Sequence, residues 1–206
     1  CQMSFGAIDY LLSIKDSINF RPNLLEEQLF TQLRRLQQSR NSKDAKAVQP
    51  SVLSLVSKLD TMINQSNQLD SNEKAKAKII CRTLVQFCQH EASESPEVRA
   101  KFMAENVAHI RDLEGKETKI VLSAHNGHVA KAIHFKEFGY YLRQKFQEQY
   151  YAVGFDFNRG SLQGFDFEGE QVLWKAYELK PAQKHSLGDV LLGCQKDLLF
   201  LDLRQA

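Results

Sequence analysis

The sequence predicts an α/β protein in which a helical first half packs on a partly parallel, mixed sheet in three layers. Before about residue 115, apolar residues recur at the three- and four-residue steps of amphipathic helices. After that point, short apolar runs alternate with helical stretches, which is typical of β–α–β units with parallel neighbours. We therefore predict a helical segment over residues 1–115 and an α/β segment over residues 116–206, which together form part of one larger domain.

The first half carries clear signals for the starts of helices. Asn23 with Glu26, and Asp70 with Glu73, have the spacing of a capping box. Ser95 is a cap residue that precedes a proline, and proline favours the first position of a helix. The polar stretch 37–50, which ends in proline, predicts a surface loop. Five helices are expected, over residues 4–18, 25–36, 52–63, 70–90 and 98–110.

The second half predicts strands. Short apolar runs indicate three buried strands, near residues 120–124, 150–157 and 198–203. A helix over residues 136–149 separates the first two, and this order favours parallel neighbours. Two further runs flank a Glu-Gly-Glu turn and predict a hairpin over residues 161–167 and 171–178, and Ser186 predicts the cap of a short helix.

Composition excludes several classes of function. The net charge is +2 and no basic run alternates with aromatic residues, which argues against a nucleic-acid-binding protein. No apolar run approaches the roughly 18 residues of a membrane span. The four cysteines lack metal-ligand or redox spacing, and Cys81 and Cys88 are predicted to be buried free thiols. Free thiols indicate a reducing compartment, so we predict a cytoplasmic location.

Two histidines follow the first predicted strand, in the sequence His125-Asn-Gly-His128. Ligands bind beyond the carboxyl ends of strands in open α/β sheets, so this motif is a candidate site. The spacing leaves three interpretations open. The imidazoles could be catalytic, because histidine moves protons and polarises carbonyl groups near neutral pH. They could be two ligands of a metal site, or a structural pair in which one caps the following helix.

The helix that begins near Ser95 carries polar residues among apolar ones. Arg99 and Asn106 fall on the face of Met103, and the neighbouring stripe carries Glu105 and His109. Such groups need partners if they are buried. They could form a structural network beneath the sheet or line a pocket, and the pattern does not decide between these.

Four motifs follow one another along the chain in a distinctive order and spacing. They are Arg99-x-x-x-Met103-Ala-Glu105-Asn106-Val, Ile120-Val-Leu-x-Ala-His125-Asn126-x-His128-Val, Gly139-Tyr-x-Leu and Tyr151-Ala-Val-Gly154-Phe-x-Phe-x-x-Gly160-Ser. Together these motifs resemble the erythromycin esterase family. The strongest part of the resemblance covers about residues 99–165, and the opening and closing residues fit more loosely.

The resemblance implies an α/β fold with an active-site cleft above the sheet. It implies hydrolysis of an ester or lactone by histidine-assisted attack of water, which opens the macrolide ring in members that act on antibiotics. His125 and His128 match the family's second histidine cluster and are the expected catalytic residues. Arg99, Glu105 and Asn106 match its polar helix, and we predict that they bind substrate together with Asn126.

The resemblance also implies a part that this chain does not contain. The family's first catalytic cluster, with its water-activating histidine, precedes the matching residues, so we expect this chain to be the later portion of a longer hydrolase and inactive alone. We predict a small-molecule ester as partner, no nucleic acid or membrane partner, no cofactor and no metal. Open sheet edges would favour self-association. The alternative is a non-catalytic domain that binds a small molecule or serves as structure.

Overall fold

The structure is a computed structural model that describes residues 3–93, 95–131, 136–155, 160–168, 171–180, 182–196 and 199–201. The chain divides into two compact units, residues 1–153 and residues 154–206. The described part of the first unit is helical, and the described part of the second contains a β-hairpin and a short helix.

Local signals place most of the helices where the sequence predicts them. Both capping boxes form, since Asn23 and Glu26 bond each other's backbone N–H groups, as do Asp70 and Glu73. Ser95 precedes its helix as expected, but its side chain makes no capping hydrogen bond. The first five helices are α1 (Met3–Ser13), α2 (Leu24–Ser39), α3 (Ser42–Gln65), α4 (Ser71–Ser93) and α5 (Pro96–Glu114).

The predicted loop over residues 37–50 is wrong, because α3 already begins at Ser42 and contains Pro50. The Asn41 side chain accepts hydrogen bonds from the backbone N–H groups of Lys43 and Asp44 and so starts the helix early. Proline removes one backbone hydrogen bond. Burial of Ala45 and Val52 on either side of Pro50 holds the helix together.

The main core lies among α1 to α4. Helix α4 packs against α1, α3 and α5, and α2 packs against α3. The largest side chains in this core are fully buried and come from all four helices and the α1–α2 connection; they include Ile8, Leu11, Phe20, Leu33, Leu59, Ile63 and Leu84. Cys81 and Cys88 lie in this core as free thiols, as predicted, and burial raises the pKa of each to about 12.

A second, smaller core holds the end of this unit. Helix α7 (Phe138–Phe146) packs on α5, and Ala104, Phe138 and Leu142 are buried between them. A 3-10 turn, Gln147–Gln149, follows α7, which agrees in outline with the predicted helix over 136–149. The four-residue helix α6 (Asn126–Val129) contacts α7. The small core therefore fixes the element that carries the two histidines.

The predicted parallel strands of the first unit are absent from the described residues. Residues 120–124 form no strand with any described segment, and Val121 is 94% exposed. In the described part of the chain, residues 150–155 are not part of a strand either, and 156–157 lie outside the described residues. A strand is stabilised by hydrogen bonds to a neighbouring strand, and apolar composition alone cannot supply one.

The second unit confirms the predicted hairpin. Strands β1 (Ser161–Glu168) and β2 (Gln171–Glu178) pair antiparallel. The register sets Phe165 opposite Trp174 and Phe167 opposite Val172, which places these four on one exposed face. Ser186 caps α8 (Leu187–Leu192), as expected. The predicted strand near 198–203 is not formed at residues 199–201, and the rest of it lies outside the described residues.

The fold is thus mostly helical with a small two-stranded antiparallel sheet. The expectation of a partly parallel, three-layer sheet is wrong for the described residues, because their one strand pairing is antiparallel and local. None of the helices in the described ranges is long and apolar enough to cross a membrane.

Candidate functional site

The two histidines lie on one short turn at the start of α6. His125 occupies the N-cap position, and its Nδ1 accepts a hydrogen bond of 3.1 Å from the backbone N–H of Gly127. The backbone N–H of His128 donates to the carbonyl oxygen of His125 at 2.8 Å. The ring centroids are 6.3 Å apart and the rings are nearly perpendicular. The structure therefore brings both imidazoles to one place.

Neither ring is packed away in a core. His125 is exposed, and the side chain of His128 is 44% exposed. Nδ1 of His128 lies 3.1 Å from Oε2 of Glu137, the residue that precedes α7. Within the described residues, the Nε2 atom of neither histidine has a hydrogen-bonding partner. Both rings can contact a molecule that arrives from solvent.

Contacts with α7 and with the segment that follows it hold the turn in place. The hydroxyl of Tyr150 donates to the carbonyl oxygen of Val129 at 2.6 Å. Gly139 lies so close to the turn that a Cβ atom there would overlap the carbonyl oxygens of Val129 and Ala130. The position of the histidines thus depends on a glycine in α7 and on a tyrosine hydroxyl beyond it.

The predicted substrate-binding residues of α5 face different neighbours. Glu105 lines a cleft of about 240 Å³ between α5 and α7, together with Lys101, Tyr141 and Lys145. Arg99 is half-buried and makes no hydrogen bond or ion pair within the described residues. Asn126 is exposed beside the histidines in α6. These three residues stay candidates for contact with substrate.

Asn106 instead faces helix α4. Its amide exchanges two hydrogen bonds with the amide of Gln86, at 2.9 and 3.1 Å, and Gln86 is only 5% exposed. A buried amide needs its partners, so this pair ties α5 to α4. Asn106 thus lies in the predicted polar helix α5, and its side chain is part of the interface with α4.

We expect replacement of Asn106 by leucine to lower the free energy of unfolding by about 1–3 kcal/mol, because it leaves the Gln86 amide buried without a partner. The double variant Gln86→Leu/Asn106→Leu should recover part of this loss, since two apolar groups can replace a buried pair. Urea unfolding of the two single variants and the double variant measures the coupling. Unchanged stability of Asn106→Leu would contradict a role at the interface.

Three ionisable side chains on α5 and α7 have pKa values shifted by their surroundings. Burial and a hydrogen bond to the Glu97 carboxylate raise the pKa of Tyr141 to about 12, so its hydroxyl stays protonated. The same hydrogen bond, with Lys136, lowers the pKa of Glu97. Burial and the nearby Arg82 lower the pKa of His109, whose Nε2 contacts the Arg82 guanidinium. His109 thus remains neutral near pH 7.

Metal binding is a further interpretation of the histidine pair. In the described ranges, no group of three or more His, Cys, Asp or Glu side chains is placed to hold a metal ion.

Sequence reasoning missed three residues that build this site. Glu137 bonds to His128, while Gly139 and Tyr150 support the turn. Gly139 lies in a motif that matched the resemblance, which could have marked it, but no local pattern showed what it touches. Neither Glu137 nor Tyr150 had a signal in the sequence.

The chain matches the sequence model of a known family. A sequence model described as Erythromycin esterase matches residues 8–206. The chain belongs to the erythromycin esterase family. The predicted resemblance is therefore confirmed, and the match covers both compact units. Membership of the erythromycin esterase family supports a hydrolase-like function for the chain. No curated protein and no solved structure matches the chain.

Proposed function

We propose that this chain supplies the histidine pair of a site that hydrolyses an ester or lactone. The observation that supports it is the placement of two solvent-accessible imidazoles, with ring centroids 6.3 Å apart, on one anchored turn of an erythromycin esterase family member. Histidine can polarise a carbonyl group or stabilise the oxyanion that forms when water attacks. A well-placed donor contributes on the order of 3 kcal/mol to such a transition state.

In this proposal, His125 and His128 contact the ester group, and Asn126 binds substrate from the same turn. Arg99 and Glu105 bind other parts of the substrate from α5, whose cleft with α7 carries both lysine and carboxylate groups. Asn106 contributes by holding α5 against α4 through Gln86. The substrate class includes macrolide lactones, as in the members of the family that act on antibiotics.

The decisive experiment compares ester hydrolysis by the full-length gene product and by its His128→Ala variant, with aryl esters and macrolide lactones as substrates. We expect kcat to fall about a hundredfold to ten-thousandfold, the usual contribution of a positioned histidine to proton transfer. His185→Ala is the matched control, because His185 is an exposed histidine outside the α6 turn, and its activity should equal that of the unaltered protein.

Equal turnover by the His128→Ala variant and the control would contradict the catalytic role. Binding of esters or macrolides without turnover by the unaltered protein would favour the non-catalytic, ligand-binding alternative instead. Isothermal titration calorimetry on the same samples separates these outcomes.

Location and assembly belong to the same proposal. The free, buried thiols of Cys81 and Cys88 support a reducing, cytoplasmic setting. In the described part of the chain, β1 pairs only with β2, so both outer edges of the hairpin are open. Open edges favour pairing with another chain, which supports self-association through the sheet.

A further inference from the structure

The hydrogen bonds of the two imidazoles run in opposite directions. The Gly127 backbone N–H donates to Nδ1 of His125, and a backbone amide can only donate. Nδ1 of His125 therefore carries a lone pair. In a neutral imidazole one nitrogen carries the proton and the other does not, so the proton of neutral His125 lies on Nε2.

His128 is held in the other arrangement. Its Nδ1 lies 3.1 Å from the Glu137 carboxylate, and an ionised carboxylate can only accept. Nδ1 of His128 therefore carries the proton. Nε2 of the neutral ring then has the lone pair, and this nitrogen has no partner among the described residues.

We propose that Glu137 and the Gly127 backbone hold the two histidines as opposite tautomers, so that His125 offers an N–H donor and His128 offers an acceptor. Glu137 is then a positioning residue, because it acts on substrate only through His128. Since the ring centroids are 6.3 Å apart, one substrate molecule can contact both rings.

This inference rests on the proposed function for its chemical meaning. The His125 N–H matches the carbonyl oxygen of an ester, and the His128 nitrogen matches an O–H group beside that carbonyl. The O–H belongs either to the attacking water or to a hydroxyl of the substrate. The pair thus selects an ester carbonyl with an adjacent O–H, which two identical tautomers would not do.

The direct test reads the tautomers themselves. Long-range ¹H–¹⁵N correlation spectra of the full chain, labelled with ¹⁵N-histidine and recorded above the histidine titration range, distinguish protonated from unprotonated ring nitrogens. We expect a protonated Nε2 for His125 and a protonated Nδ1 for His128. The spectra of H125A and H128A assign the signals, and identical tautomers for the two rings would overturn the inference.

Two variants of Glu137 test its role. Its side chain makes no capping hydrogen bond to α7, so Glu137→Ala removes the contact with His128 without removing a helix cap. We expect His128 to become a mixture of tautomers in Glu137→Ala. The Glu137→Gln variant should restore the Nδ1–H form, because the amide oxygen still accepts. Glu148→Ala, at an exposed glutamate beyond α7, is the control. An unchanged His128 tautomer in Glu137→Ala would overturn the role of Glu137.

Kinetics identify the O–H group. We expect kcat/KM of the full-length gene product to fall about tenfold to a hundredfold in Glu137→Ala, the usual range for loss of a hydrogen bond to a charged group. If the O–H is the attacking water, kcat falls equally for esters with and without a neighbouring hydroxyl. If it belongs to the substrate, KM rises for the hydroxyl-bearing ester alone. Unchanged kinetics with both esters would overturn the functional part of the inference.

The inference and the proposed function fail separately. Opposite tautomers together with an unaffected H128A enzyme would keep the inference about Glu137 and reject the catalytic proposal. Identical tautomers together with an inactive H128A enzyme would overturn the inference about Glu137 and support the catalytic proposal.

Discussion

A Gly139→Ala variant is expected to lose about 1–3 kcal/mol of unfolding free energy, the usual cost of overpacking. An added Cβ would overlap the carbonyl oxygens of Val129 and Ala130, which are backbone atoms and cannot rotate away. Either α7 or the α6 segment must shift, and both histidines shift with α6. We therefore also expect ester hydrolysis to fall at least as far as in the His128→Ala variant. Urea unfolding, followed by far-UV circular dichroism, and kcat/KM measure the two effects.

Gly6→Ala is the matched control for this substitution. Gly6 lies in α1, and beyond its chain neighbours and its own helix backbone no atom lies within 4 Å of the Cβ that alanine would add. Alanine stabilises a helix interior by about 0.5–1 kcal/mol relative to glycine, so this variant should gain stability. Both substitutions add one methyl group to a glycine in a helix. Their expected effects on the free energy of unfolding have opposite signs because only Gly139 faces neighbouring backbone atoms. A gain of stability in both variants would contradict the close approach of α7 to the turn.

Truncation of Leu142 to alanine is expected to cost about 2–5 kcal/mol, as is usual for a buried leucine. Leu142 is fully buried in the small core between α5 and α7. We expect α7 to open locally, which would also release the contact between Glu137 and His128. Native-state hydrogen exchange should show lost protection in α7 and retained protection in α3 and α4.

Leu59→Ala makes the same change in the larger core, where Leu59 is also fully buried. Protection should then fall across α1 to α4. Equal loss of protection in α3 from both variants would mean that the two cores unfold as one, and that α7 is not a separate cooperative element.

The two capping boxes and the hairpin, whose signals lie inside their own sequence, are predicted correctly. The capping boxes at Asn23 and Asp70 need a partner only three residues away, and the hairpin of β1 and β2 needs a partner strand just beyond its turn. Each interaction can be read within one short window of sequence. Asn41 also acts locally: it caps the start of α3 inside a stretch whose composition suggests a loop.

The parallel strands failed for the opposite reason. The runs near residues 120–124 and 150–157 are apolar and β-branched, but a strand needs hydrogen bonds from a neighbour that its own sequence does not specify. The structure gives residues 120–124 no such neighbour in its described part, and they remain an exposed connection. The apolar composition of a segment indicates a preference for burial, but it does not identify the strand with which the segment would pair.

The candidate site shows the same difference between local contacts and contacts between distant residues. His125 and His128 lie three residues apart, so the sequence alone could bring them together on one turn. Glu137 reaches His128 from nine residues away and Tyr150 reaches Val129 from twenty-one, through the packing of α7. Such contacts depend on how helices meet, which no motif in the chain encodes.

The aromatic face of the hairpin gives the protein a built-in optical probe. Trp174 is the only tryptophan in the chain, is 72% exposed and touches Phe165 edge-on. Its emission should therefore start at the long wavelengths of a hydrated indole. A shift to shorter wavelengths as protein concentration rises would signal that another molecule has covered this face. A single fluorescence titration can thus monitor association in the very samples prepared for the kinetic assays.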